Sequence, residues 1–163
     1  MRYEFINEFE VDASADDVWA IYTAPNFPAL AAQLLVYSKA RILWKVMAAA
    51  LVLFSVLCSS QVRSVVPMYK EKIVTVDHEK KLKEIQMMEG GYLEMGCTFC
   101  MLSFEILAKE RISCIIKTVT KYEISDDLTT GVSAHFHTTF DTWVALGQEV
   151  SKHIAKKNAT ANS

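Results

Sequence analysis

Polar and apolar residues alternate through the first eleven positions of the chain. Tyr3, Phe5, Asn7, Phe9 and Val11 fall on one side, and Arg2, Glu4, Ile6, Glu8 and Glu10 on the other, the period of two that marks a strand with one buried face. The period then changes. Ser14, followed three residues later by Asp17, resembles a capping box, and Val18, Trp19, Ile21 and Tyr22 supply the apolar face of a short helix. Pro25 and Pro28 end it, and Ala29 to Leu35 predicts a second short helix. Ser38 to Leu43 reads as a strand. Further on, Met68 to Val76 and Lys81 to Met88 read as strands joined through Asp77-His78-Glu79. Gly90-Gly91 makes the next turn, Tyr92 to Phe104 predicts a third strand of this group, and Arg111 to Tyr122 a fourth. Phe136, Phe140, Trp143, Val144, Gly147, Val150 and Ile154 recur at helical spacing, with Lys152, Lys156 and Lys157 near the helix end where they suit its dipole. The order predicts an α+β fold: a curved antiparallel β-sheet wrapped around one long C-terminal helix, with two short helices after the first strand.

Composition changes this picture in one place. The 163 residues suit a single domain, here residues 1–157 followed by a disordered tail at 158–163. Seventeen basic against nineteen acidic side chains leave no field that would gather nucleic acid or an anionic membrane, so neither is expected as a partner. Hydrophobic residues reach 52% and mean hydropathy +0.17, high for a soluble domain. The excess sits in Val46 to Cys58, about 13 residues, short of the roughly 20 that a spanning helix needs. The charged, alternating start does not read as a signal peptide, so a cytoplasmic protein is expected.

Candidate chemistry is sparse. Tyr69 and Glu71, two apart on one strand, share a face, and a hairpin through Asp77-His78-Glu79 puts Lys83 roughly opposite Glu71, on the side of Ile85 and Met87. Facing inward, a carboxylate and an amine in an apolar pocket perturb each other's pKa values and suit proton shuttling. Facing outward, they form an ordinary cross-strand ion pair beside Lys70, Lys72, Lys80 and Lys81. Spacing leaves both open. Cys97 and Cys100 form a C-x-x-C, but strand positions i and i+3 face opposite sides and no second ligand pair accompanies them. Cys58, Cys97, Cys100 and Cys114 are expected free and buried, His135 and His137 solvated, and no metal or organic cofactor is implied.

The stretches ASADDVWAIY, YKEKIVTVD, KKLKEIQMMEGGYLEMGCTF and VSKHIAKK, in this order of elements, resemble the plant birch-pollen allergen (Bet v I) superfamily, and within it the norcoclaurine synthase-like branch of the pathogenesis-related class-ten proteins. The resemblance covers residues 1 to about 43 and 67 to about 157. It implies a seven-stranded curved sheet gripping the long helix, with two short helices closing a deep apolar cavity. It also implies a monomer or weak dimer acting on small hydrophobic or aromatic molecules. In that branch dopamine and 4-hydroxyphenylacetaldehyde condense in a Pictet-Spengler reaction, and the resemblance carries the catalytic positions onto Tyr69, Glu71 and Lys83. Lysine is the general acid for loss of water, glutamate takes the ring proton, and tyrosine shapes and polarises the pocket. The carboxylate that the branch carries soon after CTF is replaced here by Leu102, which holds neither an ammonium nor a catechol hydroxyl. The alternative from the same resemblance is a non-catalytic protein that holds hormones, flavonoids or lipids.

Between the two blocks the family has a glycine-rich loop and a strand, of the form EGDGGxGTVLxxxFxPGSVP, where this chain has WKVMAAALVLFSVLCSSQVRSVVP. Read two bases out of register, Trp44-Lys45 necessarily encodes Glu and Met47-Ala48 necessarily encodes Gly, and the remaining codons admit the family pattern. Residues 44–64 are therefore read as a frame-shifted segment, with LVLFSVL able to serve as the missing strand.

Overall fold

The computed structural model describes residues 1–37, 70–93, 96–124 and 129–161. Tyr69, Cys58, the strand expected at Ser38 to Leu43 and the segment 44–64 lie outside the described residues, as do the side chains of His135 and His137.

The alternation of the first residues becomes strand β1, Arg2–Val11, with every odd position turned inward and every even one exposed. Helix α1, Ala15–Tyr22, begins where Ser14 accepts a hydrogen bond from the Asp17 backbone N–H at 3.1 Å. Helix α2 spans Phe27–Tyr37, starting two residues before the sequence expectation because Pro28 is tolerated in a first turn. Strands β2, Lys70–Asp77, and β3, Leu82–Glu89, form the expected hairpin. In its turn, Asp77 Oδ1 accepts the backbone N–H groups of Glu79 and Lys80 at 3.0 and 2.9 Å, and Lys81 adopts φ 50°. Strands β4, Cys97–Glu110, and β5, Ser113–Ile124, complete the sheet, and helix α3 runs from Thr129 to Ala161.

The sheet is antiparallel throughout, ordered β1-β5-β4-β3-β2. The described residues contribute five of its strands. Two expectations change. Tyr92 to Phe104 does not form one strand: Gly91–Leu93 is a 3-10 turn, and the left-handed Gly90 and Gly96, at φ 75° and 99°, delay β4 to Cys97. The last helix continues to Ala161, so residues 158–161 are helical and exposed rather than a disordered tail.

Two clusters fill the concave side. In the larger, Val18, Tyr22 and Phe27 from the short helices meet Phe104 and Ile116 from the sheet and Trp143 from α3. Phe104 is at its centre, edge-on to Trp143 at 4.9 Å and to Tyr22 at 5.6 Å. The smaller cluster, at the other end, holds Met87, Tyr92, Cys97, Cys100, Tyr122 and Ile124. Both cysteines belong to it, contrary to the opposite-face expectation, because a register shift between Cys97 and Phe99 breaks the alternation. Burial pushes their thiols up, to about 11 for Cys97 and about 12 for Cys100, so these buried groups are poor nucleophiles.

Sheet and helix approach closely at Gly147. A Cβ there would lie 2.5 Å from the Phe9 ring and 3.2 Å from Ile116 Cδ1. Gly147→Val is expected to destabilise the fold by about 1–3 kcal/mol, read as a lower urea midpoint, because branched carbons would push α3 off β1.

Candidate functional site

The register of β2 and β3 decides which way the candidate amine faces. Lys83 pairs with Val76 on one side and Phe104 on the other, so it shares the concave face with the aromatic centre of the core. It is 8% exposed. Its Nζ donates to the Tyr22 backbone carbonyl at 3.0 Å, at the C-terminal end of α1, and stands 5.5 Å from the centre of the Phe27 ring. The outward ion pair is therefore not formed. On the convex face it is the neighbouring Glu84 that is engaged, accepting from Thr75 at 2.6 Å and Ser103 at 3.4 Å.

Glu71 is not opposite Lys83, as the hairpin arithmetic predicts, but opposite Met87. The hairpin itself sets the difference, since counting from the Asp77–Leu82 pair brings Glu71 to Met88; of two register shifts, the first lies between Lys70 and Glu71, and the second, between Ile73 and Thr75, moves Glu71 to Met87. The second leaves Val74 as an extra residue, so Thr75 pairs with Glu84 and Val76 with Lys83. Glu71, Ile73 and Val76 still share the face of Met87, Ile85 and Lys83, so carboxylate and amine look into the same concavity from staggered positions.

Electrostatics couple the two groups. Burial is the larger influence on Lys83 and holds its amine below the ordinary 10.5, while the Glu71 charge pulls it up. Glu71 keeps much of its surface in water, yet protein surrounds its carboxyl on the concave side. Burial there raises its pKa, and the Lys83 charge works against that rise. Each group is thus moved toward the other in proton affinity, which suits exchange of a proton with a bound molecule.

Leu102 lies opposite Ile85 and packs against the main cluster, diagonal to Lys83 on the same face. Tyr69 precedes β2 and lies outside the described residues. Sequence reasoning places Tyr22 on the apolar face of the first helix and does not single out Phe27, and it connects neither to Lys83. The Tyr22 contribution is a backbone carbonyl, which no side-chain pattern reveals, and Phe27 reads as one more apolar residue between two prolines.

A hinge-like tether fixes the helix that carries this carbonyl. Trp19 Nε1 donates to His78 Nδ1 at 3.1 Å, and Lys81 pairs with Asp16 at 3.0 Å, joining α1 to the β2–β3 turn. The Tyr22 hydroxyl, by contrast, is fully buried and has no hydrogen-bond partner among the described residues; burial raises its pKa above the usual phenol value. Tyr22→Phe removes that orphan and keeps the carbonyl, so it is expected to raise stability by about 1 kcal/mol in denaturant titration.

Among the described residues no group of three or more His, Cys, Asp or Glu side chains gathers as a metal site, and no helix is long and apolar enough to cross a membrane.

Comparisons with known proteins agree with the fold. S-norcoclaurine synthase 1 of Papaver somniferum is 37% identical over 161 residues, covering 96% of this chain and 67% of that protein. Norbelladine synthase of Narcissus pseudonarcissus is 31% identical, covering 99% of this chain and 98% of its own. Among solved structures, norcoclaurine synthase from Thalictrum flavum superposes with a TM-score of 0.68 at 25% identity, covering 95% of this chain and 87% of the other. The major latex-like protein 151 of Panax ginseng superposes at 0.57 over 94% of this chain and 97% of its own; at 12% identity it speaks for the fold alone. Residues 62–157 match the model of the Pathogenesis-related protein Bet v 1 family, and with these relatives the chain belongs to that family.

Proposed function

We propose that the protein is a cytoplasmic norcoclaurine synthase-like enzyme, monomeric or weakly dimeric, that condenses an arylethylamine with an aldehyde in a Pictet-Spengler reaction. Dopamine and 4-hydroxyphenylacetaldehyde are the substrates proposed. The observation that carries the reading is the inward Lys83, with Glu71 on the same concave face. A complex of the Thalictrum flavum enzyme with dopamine and hydroxybenzaldehyde supports the choice of substrates.

In this reading the substrate amine adds to the aldehyde carbon and Lys83, as its ammonium, gives a proton to the departing hydroxyl, leaving an iminium and water. The catechol ring closes onto the iminium carbon, and Glu71 takes the ring proton to restore aromaticity. Tyr69, immediately before β2, is proposed to polarise the same pocket. The segment 44–64 is proposed to derive from a shifted reading frame, which sequencing of the transcript tests.

A second reading has its own observation. Leu102 puts an apolar side chain where the family branch positions a carboxylate, and Ile85, Phe104 and Phe27 continue that apolar surface. A protein that holds small hydrophobic molecules without converting them would have this lining. One assay separates the two: both substrates are supplied and the chiral tetrahydroisoquinoline is measured above the spontaneous racemic background. Enantiomeric excess that is lost in Lys83→Ala and Glu71→Ala supports the enzyme. Racemic product at the spontaneous rate, with saturable binding of an apolar fluorophore, supports the carrier.

A further inference from the structure

We propose that Lys83 captures neutral aldehydes with an apolar tail as a covalent Schiff base, through its free amine. Hydrogen-bond accounting leads to this. An ammonium has three N–H donors to satisfy, and among the described residues Lys83 makes one hydrogen bond, to the Tyr22 carbonyl. A neutral amine has two N–H donors instead of three, gives one of them to the Tyr22 carbonyl, and keeps its lone pair available.

Apolar side chains desolvate the amine. Val76 and Phe104 flank Lys83 across the strands, Leu102 is diagonal to it, and the Phe27 ring lies below. Burial lowers the amine's proton affinity, against the opposing pull of the Glu71 charge. A lysine so desolvated is the usual setting for carbonyl addition. The same apolar surface fits the tail of the aldehyde rather than a carboxylate or phosphate. Access is along β2, whose Ile73 and Val76 share the Lys83 face and remain 53% and 43% exposed.

The step balances. The Nζ lone pair forms a bond to the aldehyde carbon as the carbonyl π-bond breaks, and a proton moves from nitrogen to oxygen to give the carbinolamine. The C–O bond then breaks, the oxygen leaving as water after taking a proton from solvent, and the iminium returns one proton to solvent. Amine and aldehyde become imine and water, with no oxidant or reductant. The proposal rests on the inward Lys83 of the condensation reading, but uses its free amine where that reading uses the ammonium, and it needs no second substrate, so the two can fail separately.

The test incubates the whole protein with phenylacetaldehyde and sodium cyanoborohydride near neutral pH, without any amine substrate, and locates the reduced phenethyl adduct by peptide mass mapping. Lys83 is expected to be modified at least roughly tenfold faster than the exposed Lys72 on the same chain. In Leu102→Asp, whose carboxylate would hold an ammonium, Lys83 modification is expected to slow while that of Lys72 is unchanged, with the far-UV spectrum verifying the fold. Modification of Lys83 no faster than of Lys72, or unaffected by Leu102→Asp in a folded variant, overturns the proposal. Fast modification with no enantioselective condensation leaves the proposal standing and removes the condensation reading; enantioselective condensation without it does the reverse.

Discussion

Replacing Lys83 with alanine is expected to lower enantioselective condensation by about 10²- to 10⁴-fold, the usual contribution of a positioned proton donor. Glu71 would remain on the concave face, but among the described residues next to Lys83 the Tyr22 carbonyl accepts only, and Phe27, Val76 and Leu102 are apolar. The same position leaves a signature in folding. Burial holds the Lys83 pKa below 10.5, so between its folded value and 10.5 the unfolded chain binds more protons than the folded one. Stability of the parent protein therefore rises with pH across that window, because a penalty for the buried charge is relieved. Lys83→Met carries no such group. Urea titrations from about pH 7 to about pH 10 should show the parent gaining on the variant as pH rises. A difference independent of pH would mean that the amine is not desolvated in the folded protein.

The second large effect concerns the core that holds the amine in place. Phe104 is 3% exposed, edge-on to both Tyr22 and Trp143, and is the cross-strand neighbour of Lys83. Truncation to alanine removes a ring of the sheet that meets both α1 and α3. A loss of about 3–5 kcal/mol is expected, measured as a fall in urea midpoint with an unchanged slope. That is a large part of the 5–15 kcal/mol that stabilises an ordinary domain. Phe104→Leu, which keeps much of the volume, should lose much less. Equal losses from the two variants would show that the edge-on geometry, rather than the filled volume, carries the stabilisation.

Much of the architecture is legible in the chain because β1, α1 and α3 each obey one period. β1 alternates without a fault over its ten residues, Ser14 and Asp17 cap α1 as their spacing predicts, and the apolar stripe at Trp143, Val150 and Ile154 is buried in α3. Register is a different matter. Alternation says which residues share a face within a strand, but the partner across the hairpin depends on every inserted residue between. Glu71 is opposite Met87 rather than Lys83 because the chain turns between Asp77 and Leu82, and Cys97 joins Cys100 in one cluster because of the register shift between Cys97 and Phe99. Family resemblance carries Lys83 and Glu71 to the concave side, which spacing alone leaves undecided. Neither route finds the Tyr22 carbonyl, since a backbone acceptor leaves no trace in residue type. Nor does either show how closely Gly147 approaches Phe9, a fact of helix placement against the sheet.

The extra residue at Val74 acts as a parity switch for the chemistry of the concave face. Without the shift at Ile73 and Thr75, the count from the Ile73–Ile85 pair would bring Thr75, not Val76, beside Lys83. The lysine would then have a hydroxyl acceptor next to it, and Glu84 would lose its hydrogen bond from Thr75. One inserted residue thus exchanges a polar neighbour for an apolar one without altering any residue in direct contact with the amine's nitrogen. Insertions and deletions in β2 therefore offer evolution a way to retune the basicity of Lys83 in single steps, at a position where point substitution would first have to disturb the packed core.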